Sequence, residues 1–331
     1  MKKTLIASAV AAATFSSFTF AEGTMPTFYG SLELVHHSVD ADDPTVANTH
    51  EFKDTGSTFG LKHSHELDSG TSVFMKAEFE YLGDESHEVQ SAEDLNGDGV
   101  VNASDKAKNN GFSLDEAYIG FKGSFGSIQF GSDDTVYEWV DVVDQNEHVG
   151  LAGEKAALKE GDNFQYVLGA AEGLELGVTL PVDSDSAFGG ALAAKYSVDM
   201  ITAVFAYSMG REDGNGNAGD TFGLGASINL DALTINAQFE SRDEYKNTAD
   251  DETYFALQGL YTMGANVFRL GYQMSAFDAR DEAGIELAAI HNLSDNAFIY
   301  VETLFSTIDN DSTLVRDTDP MEIALGATYK F

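Results

Sequence analysis

The last eleven residues, MEIALGATYKF, alternate apolar with polar or small side chains and stop on an aromatic. Period-two spacing places Ile323, Leu325, Ala327, Tyr329 and Phe331 on one surface of an extended strand. An aromatic pair at the strand end suits a membrane interface, so the segment reads as the strand that closes a barrel in lipid. An edge strand of a soluble sheet has the same alternation, and the rest of the chain has to separate the two.

The opposite end, MKKTLIASAVAAATFSSFTFA, has a basic start, an apolar run from Leu5 to Phe15 and small residues before a cut after Ala21. This predicts a signal peptide over 1–21 and a mature domain over 22–331. Cleavage removes two lysines and leaves 16 basic against 55 acidic residues, a formal charge of −39. Such a polyanion is not expected to partner nucleic acid. After the signal, no apolar run reaches eighteen residues, so any membrane crossing has to be made by strands. Cysteine is absent, which removes disulfides and thiol chemistry together.

Alternation and turn residues predict sixteen strands, near 27–37, 57–66, 71–82, 113–122, 127–131, 162–170, 174–180, 188–198, 201–210, 221–230, 233–242, 252–263, 266–277, 284–293, 296–307 and 321–331. Tight turns such as LDSG, GSFG, AAEG and LSDN alternate with long connections rich in Asp, Asn and Gly. The resulting expectation is an all-β transmembrane antiparallel β-barrel with short periplasmic turns and long extracellular loops. In TSVFMKAEFEY, Val73, Met75, Ala77, Phe79 and Tyr81 would face lipid and Lys76, Glu78 and Glu80 the lumen. Sixteen strands enclose water, whereas eight would be filled by side chains, so a channel follows.

FYGSLEL (Phe28 to Leu34), STFGLKHSHEL, AYIGFKGSFGSIQFGS (Ala117 to Ser132) and the terminal Phe331, taken in order behind a signal peptide, resemble the Gram-negative general diffusion porins. The resemblance implies a homotrimer in the bacterial outer membrane, among its lipid and lipopolysaccharide, inserted by the barrel assembly machinery that reads the C-terminal strand. It also implies a third loop folded into the lumen, facing a ladder of basic residues. That loop corresponds to about 132–161 and carries Asp133, Asp134, Glu138, Asp141, Asp144 and Glu147.

This chain departs from the family's pattern where arginines are common, with Ser31, Thr58 and Ser132 in their place. Lys62, Lys76, Lys195 and Arg269 are the basic residues that alternation turns inward. Asp133, Asp134, Glu138 and Asp141 are then the expected constriction acids, with Lys62, Lys76 and Arg269 opposite, in a cation-preferring pore for small hydrophilic solutes. The reading from a different class is a surface adhesin or receptor that acts through its acidic loops.

DLNGDGVVNASD, from Asp94 to Asp105, fits a twelve-residue calcium loop. Asp94, Asn96 and Asp98 stand at positions 1, 3 and 5, and Gly99 at position 6. The Val100 carbonyl, Asn102 and Asp105 take positions 7, 9 and 12. A structural Ca²⁺ in the second outer loop is the expectation, although Asp, Asn and Gly also make ordinary turns. His36, His37, His63 and His65 invite a metal or catalytic reading, but antiparallel pairing of the first two strands puts the pairs roughly 20 Å apart. With neither a GxSxG nor an HExxH motif, the chain is not expected to be an enzyme.

Overall fold

The computed structural model describes residues 25–84, 88–90, 106–108, 111–143, 146–151, 155–156, 160–182, 189–210, 212–213, 216–217, 219–243, 251–311 and 316–331. The expected signal segment, the calcium-loop candidates Asp94 to Asp105 and Asp144 lie outside them. Sixteen barrel strands follow in chain order: β1 Thr27–Asp40, β2 in two pieces (Thr49–Asp54 and Thr58–Glu66), β3 Ser72–Tyr81 and β4 Phe112–Gly123. Next come β5 Gly126–Asp134, β6 Glu160–Ala171, β7 Leu174–Pro181, β8 Gly190–Val198, β9 Ile201–Met209 and β10 Thr221–Leu230. The last six are β11 Leu233–Arg242, β12 Glu252–Met263, β13 Asn266–Ala276, β14 Arg280–Ser294, β15 Ala297–Asn310 and β16 Met321–Lys330.

Each strand pairs antiparallel with the next, and β16 returns to β1 with Leu32 opposite Tyr329 and His36 opposite Leu325. Closure leaves the barrel sheet without an open edge, which a barrel in lipid requires. Phe331 completes the seam. Its amide donates to the Gly30 carbonyl at 2.9 Å, and a Cβ at Gly30 would stand 2.7 Å from the Phe331 ring, so only glycine leaves room.

The two faces separate by chemistry. Leu192, Phe205, Leu224, Leu257, Leu270, Leu287 and Leu325 point outward and are exposed, while Gln238, Glu240, Gln258, Glu286 and Glu302 point inward and are buried. An apolar belt this continuous fits a lipid surface and is foreign to a water-facing one. At one rim six of the seven turns are two residues long, and the seventh, between β2 and β3, spans 67–71. Asp199, Asp231 and Gly173 supply the positive φ that such tight hairpins need, at 49°, 50° and 74°.

Three local features differ from the sequence expectation. β2 begins earlier, at Thr49, and breaks where Asp54 accepts the amides of Gly56 and Ser57 at 2.9 and 2.8 Å. That local turn competes with the ladder. The outer connection between β13 and β14 shrinks to 277–279, closed by the Phe277 amide on the Arg280 carbonyl. In β4 a bulge opposite Glu78 shifts the register between Ala77 and Phe79.

Candidate functional site

The loop after β5 turns into the barrel because its own side chains are amphipathic. Thr135 caps a short 3-10 helix, Val136–Val140, by accepting the Tyr137 amide. Val136, Tyr137 and Val140 are fully buried against Ala191, Ala193, Val204 and Ala206 on β8 and β9, while Glu138 faces the water. Farther on, Val143 and Leu151 pack on Tyr254 and Ala256, and Val149 on Val35, Tyr300, Leu304 and Ala324. The loop therefore follows the inner wall from β7 round to β1.

Small residues in the wall make this fit possible. A Cβ at Gly177 would stand 2.8 Å from Trp139 and Val136, and one at Gly223 2.7 Å from Val140. Gly223→Val should lift the loop from the wall at a cost of about 1–3 kcal/mol. The expected result is a lower unit conductance in planar bilayers, because the displaced loop lies deeper in the lumen.

Buried acceptors fix the backbone. Val136 N–H donates to Thr179 Oγ1 at 3.0 Å, and Val142 and Val143 N–H donate to Gln238 Oε1 at 2.9 and 3.3 Å. Glu240 Oε2 accepts the Tyr137 hydroxyl at 2.6 Å and the Lys155 amide at 2.8 Å. At the loop tip, Glu302 accepts three consecutive amides, from Glu147, His148 and Val149, at 2.7, 2.8 and 2.9 Å. Burial pushes the Glu147 carboxyl above the usual range, with Arg269 acting the other way. Burial, together with Lys53 and His37, pushes His148 down to about 4.

Arg269 differs from its expected place. It points inward, as alternation requires, but its side chain is fully buried and ion-paired with Glu302 and Glu286. It is a strut for the carboxylate that holds the loop and does not line open water. Charge neutralisation inside a low-dielectric wall accounts for the difference, since an isolated inward carboxylate there would be costly.

The other named residues are exposed in varying degree. Lys62 lies 5.1 Å from the Tyr29 ring centre, and Lys195 bridges Glu175 at 2.7 Å and covers Trp139 at 4.8 Å. Asp133 and Asp134 are half-buried at the end of β5, and the carbonyl of Asp133 accepts Asn163 Nδ2 at 2.8 Å. Asp141 closes the 3-10 helix through its amide to the Glu138 carbonyl at 2.8 Å.

Two acids that alternation does not bring together stand beside these. The β4 bulge sets Asp115 and Glu116 together opposite Glu78, with carboxylate oxygens of the three within 4.8 Å of one another. Glu116 is equally close to Asp133 and Asp134. Lys76 Nζ sits among them, 2.6 Å from Glu116 and 3.3 Å from Glu78. Five carboxylates thus gather about one ammonium on the β3–β5 wall. Nearby, Ser31 and Thr58 stand 3.5 Å apart, hydroxyl to hydroxyl. The DE pair inside an otherwise alternating strand was the signal for the bulge.

A closed barrel with an apolar belt and a loop laid across its lumen defines a channel. The Gram-negative porin family model matches residues 7–313, and the chain belongs to that family. It is an outer-membrane porin, a channel for passive diffusion. It is 24% identical, over the full length of both chains, to a monosaccharide porin from a Halomonas species, and likewise to the major outer membrane protein of Halomonas elongata. Salmonella typhi OmpF has the same fold, with a TM-score of 0.71 at 15% identity over 94% of this chain and 99% of its own. So has Vibrio cholerae OmpT in its trimer form, with a TM-score of 0.69 at 15% identity over 93% and 99%.

Proposed function

We propose that the pore prefers cations. The observation that carries this reading is the gathering of Glu78, Asp115, Glu116, Asp133 and Asp134 around Lys76, on a wall whose neighbouring hydroxyls, Ser31 and Thr58, bring no positive charge. A few kT of negative potential at a narrow point concentrates counter-ions and repels anions without any binding step. Reversal potential across a bilayer in a potassium chloride gradient tests it. The expected sign is that of potassium permeation, and a chloride sign would overturn the proposal.

The same reading includes a homotrimer, of the kind solved for the Vibrio protein, with its outer rim among lipopolysaccharide. It also includes a Ca²⁺ held by Asp94, Asn96, Asp98, Val100, Asn102 and Asp105, supported by ligand spacing alone. Calcium should raise the melting temperature of the purified protein, and Asp94→Ala with Asp98→Ala should abolish the increment. An increment that survives both substitutions would remove calcium from this loop. Because one relative is a monosaccharide porin, monosaccharides are the first solutes for liposome swelling. Swelling with them supports diffusion through the lumen, and a sealed barrel would favour the adhesin reading instead.

A further inference from the structure

His37 on β1 and His148 at the loop tip have no part in the pore as described, and the fold brings them into contact. Their rings meet edge to face, centroids 4.6 Å apart and planes at 89°. His37 is 7% exposed, and its Nε2 lies 2.9 Å from Glu322 Oε2. Its Nδ1 is buried with no hydrogen-bond partner, 3.8 Å from Glu51 Oε1. His148 Nε2 is buried without a hydrogen-bond partner as well. Two orphaned imidazole nitrogens on touching rings, beside a carboxylate, are a costly arrangement unless something satisfies them.

We propose that His37 Nδ1, Glu51 and His148 Nε2 bind a divalent late first-row metal ion of the Zn²⁺ type, which fastens the tip of the inward loop to the barrel wall. Glu322 accepts the His37 Nε2 proton, and that fixes the tautomer with the Nδ1 lone pair free, the usual carboxylate–histidine–metal arrangement. The 3.8 Å between Nδ1 and Glu51 Oε1 is a span that one ion bridges at about 2.0–2.2 Å from each. The three ligand atoms are not all within 4.8 Å of one another in this structure, and the His148 ring completes the set by turning about its side-chain torsions while Glu302 holds its backbone.

Two imidazoles with one carboxylate favour zinc, copper or nickel over the hard ions that all-oxygen clusters prefer. Lys53 Nζ, 3.0 Å from Glu51 Oε1, is the competitor that the metal displaces.

Calorimetric titration of the full-length, detergent-solubilised barrel with Zn²⁺ in excess Mg²⁺ and Ca²⁺ tests the site, since the hard ions occupy oxygen-only clusters. One Zn²⁺ per chain is expected. His148→Ala, which lies in the loop and leaves the barrel ladder intact, and His37→Ala should each weaken it by about tenfold or more. Lys53→Gln should tighten it. Affinity unchanged in either histidine variant, or no Zn²⁺ binding under these conditions, would overturn the proposal.

Discussion

Glu302→Ala is expected to replace the single open level of the channel with flickering among several. One carboxylate accepts three successive loop amides and pairs with Arg269 in a site from which water is excluded. Removing it strands three N–H groups and leaves the guanidinium with Glu286 at 3.7 Å as its remaining ion-pair partner. Breaking one side of a buried pair costs about 3–5 kcal/mol, and here the loss falls on the docked position of the loop. The barrel should persist, because the strand ladder of β15 with β14 and β16 does not involve the side chain. Glu302→Gln should act in the same direction, since the amide group opposes donors with a donor. Single-channel recording checks both variants, and unchanged conductance and noise would show that the apolar contacts and the bonds to Thr179, Gln238 and Glu240 hold the loop without Glu302.

The second large effect concerns selectivity. Converting Glu78, Glu116 and Asp133 to Gln, Gln and Asn keeps the shape of the wall and removes three of the five carboxylates near Lys76. The reversal potential should then move most of the way to zero. Lys76→Gln should move it the other way, because the ammonium that bridges Glu78 and Glu116 is lost while the acids remain. Opposite shifts from the two variants would locate the filter on this wall; shifts of the same sign would place it elsewhere. Low salt is the right condition, since at 0.1 M the Debye length is still about 10 Å and the cluster acts over the pore radius.

The strand ladder was readable in advance because lipid on one side and water on the other impose a period of two that no loop chemistry disguises. The inward direction of Lys76, Glu78 and Arg269 came from the same rule. What alternation could not reach was anything set by a change of register or by a loop crossing the lumen. The bulge in β4 places Asp115 with Glu116, although strict alternation sends them to opposite faces. Arg269 was expected against open water and is instead sealed beneath the loop.

The histidines show the same limit. The register sets His36 and His37 opposite Phe52 and Glu51, with His63 and His65 near the other end of β2, and the partner of His37 lies at the tip of the inward loop.

By itself, then, the sequence determined a sixteen-stranded barrel with Phe331 at the closing seam, an acidic chain and the resemblance to porins. Those properties follow from composition and from period-two spacing, which are local and repeat along every strand. Only the tertiary structure decided which acids share one patch of wall, which carboxylates hold the loop and which imidazoles meet. Such contacts join residues far apart in the chain, and their energies arise from desolvation and packing at places that local pattern does not specify.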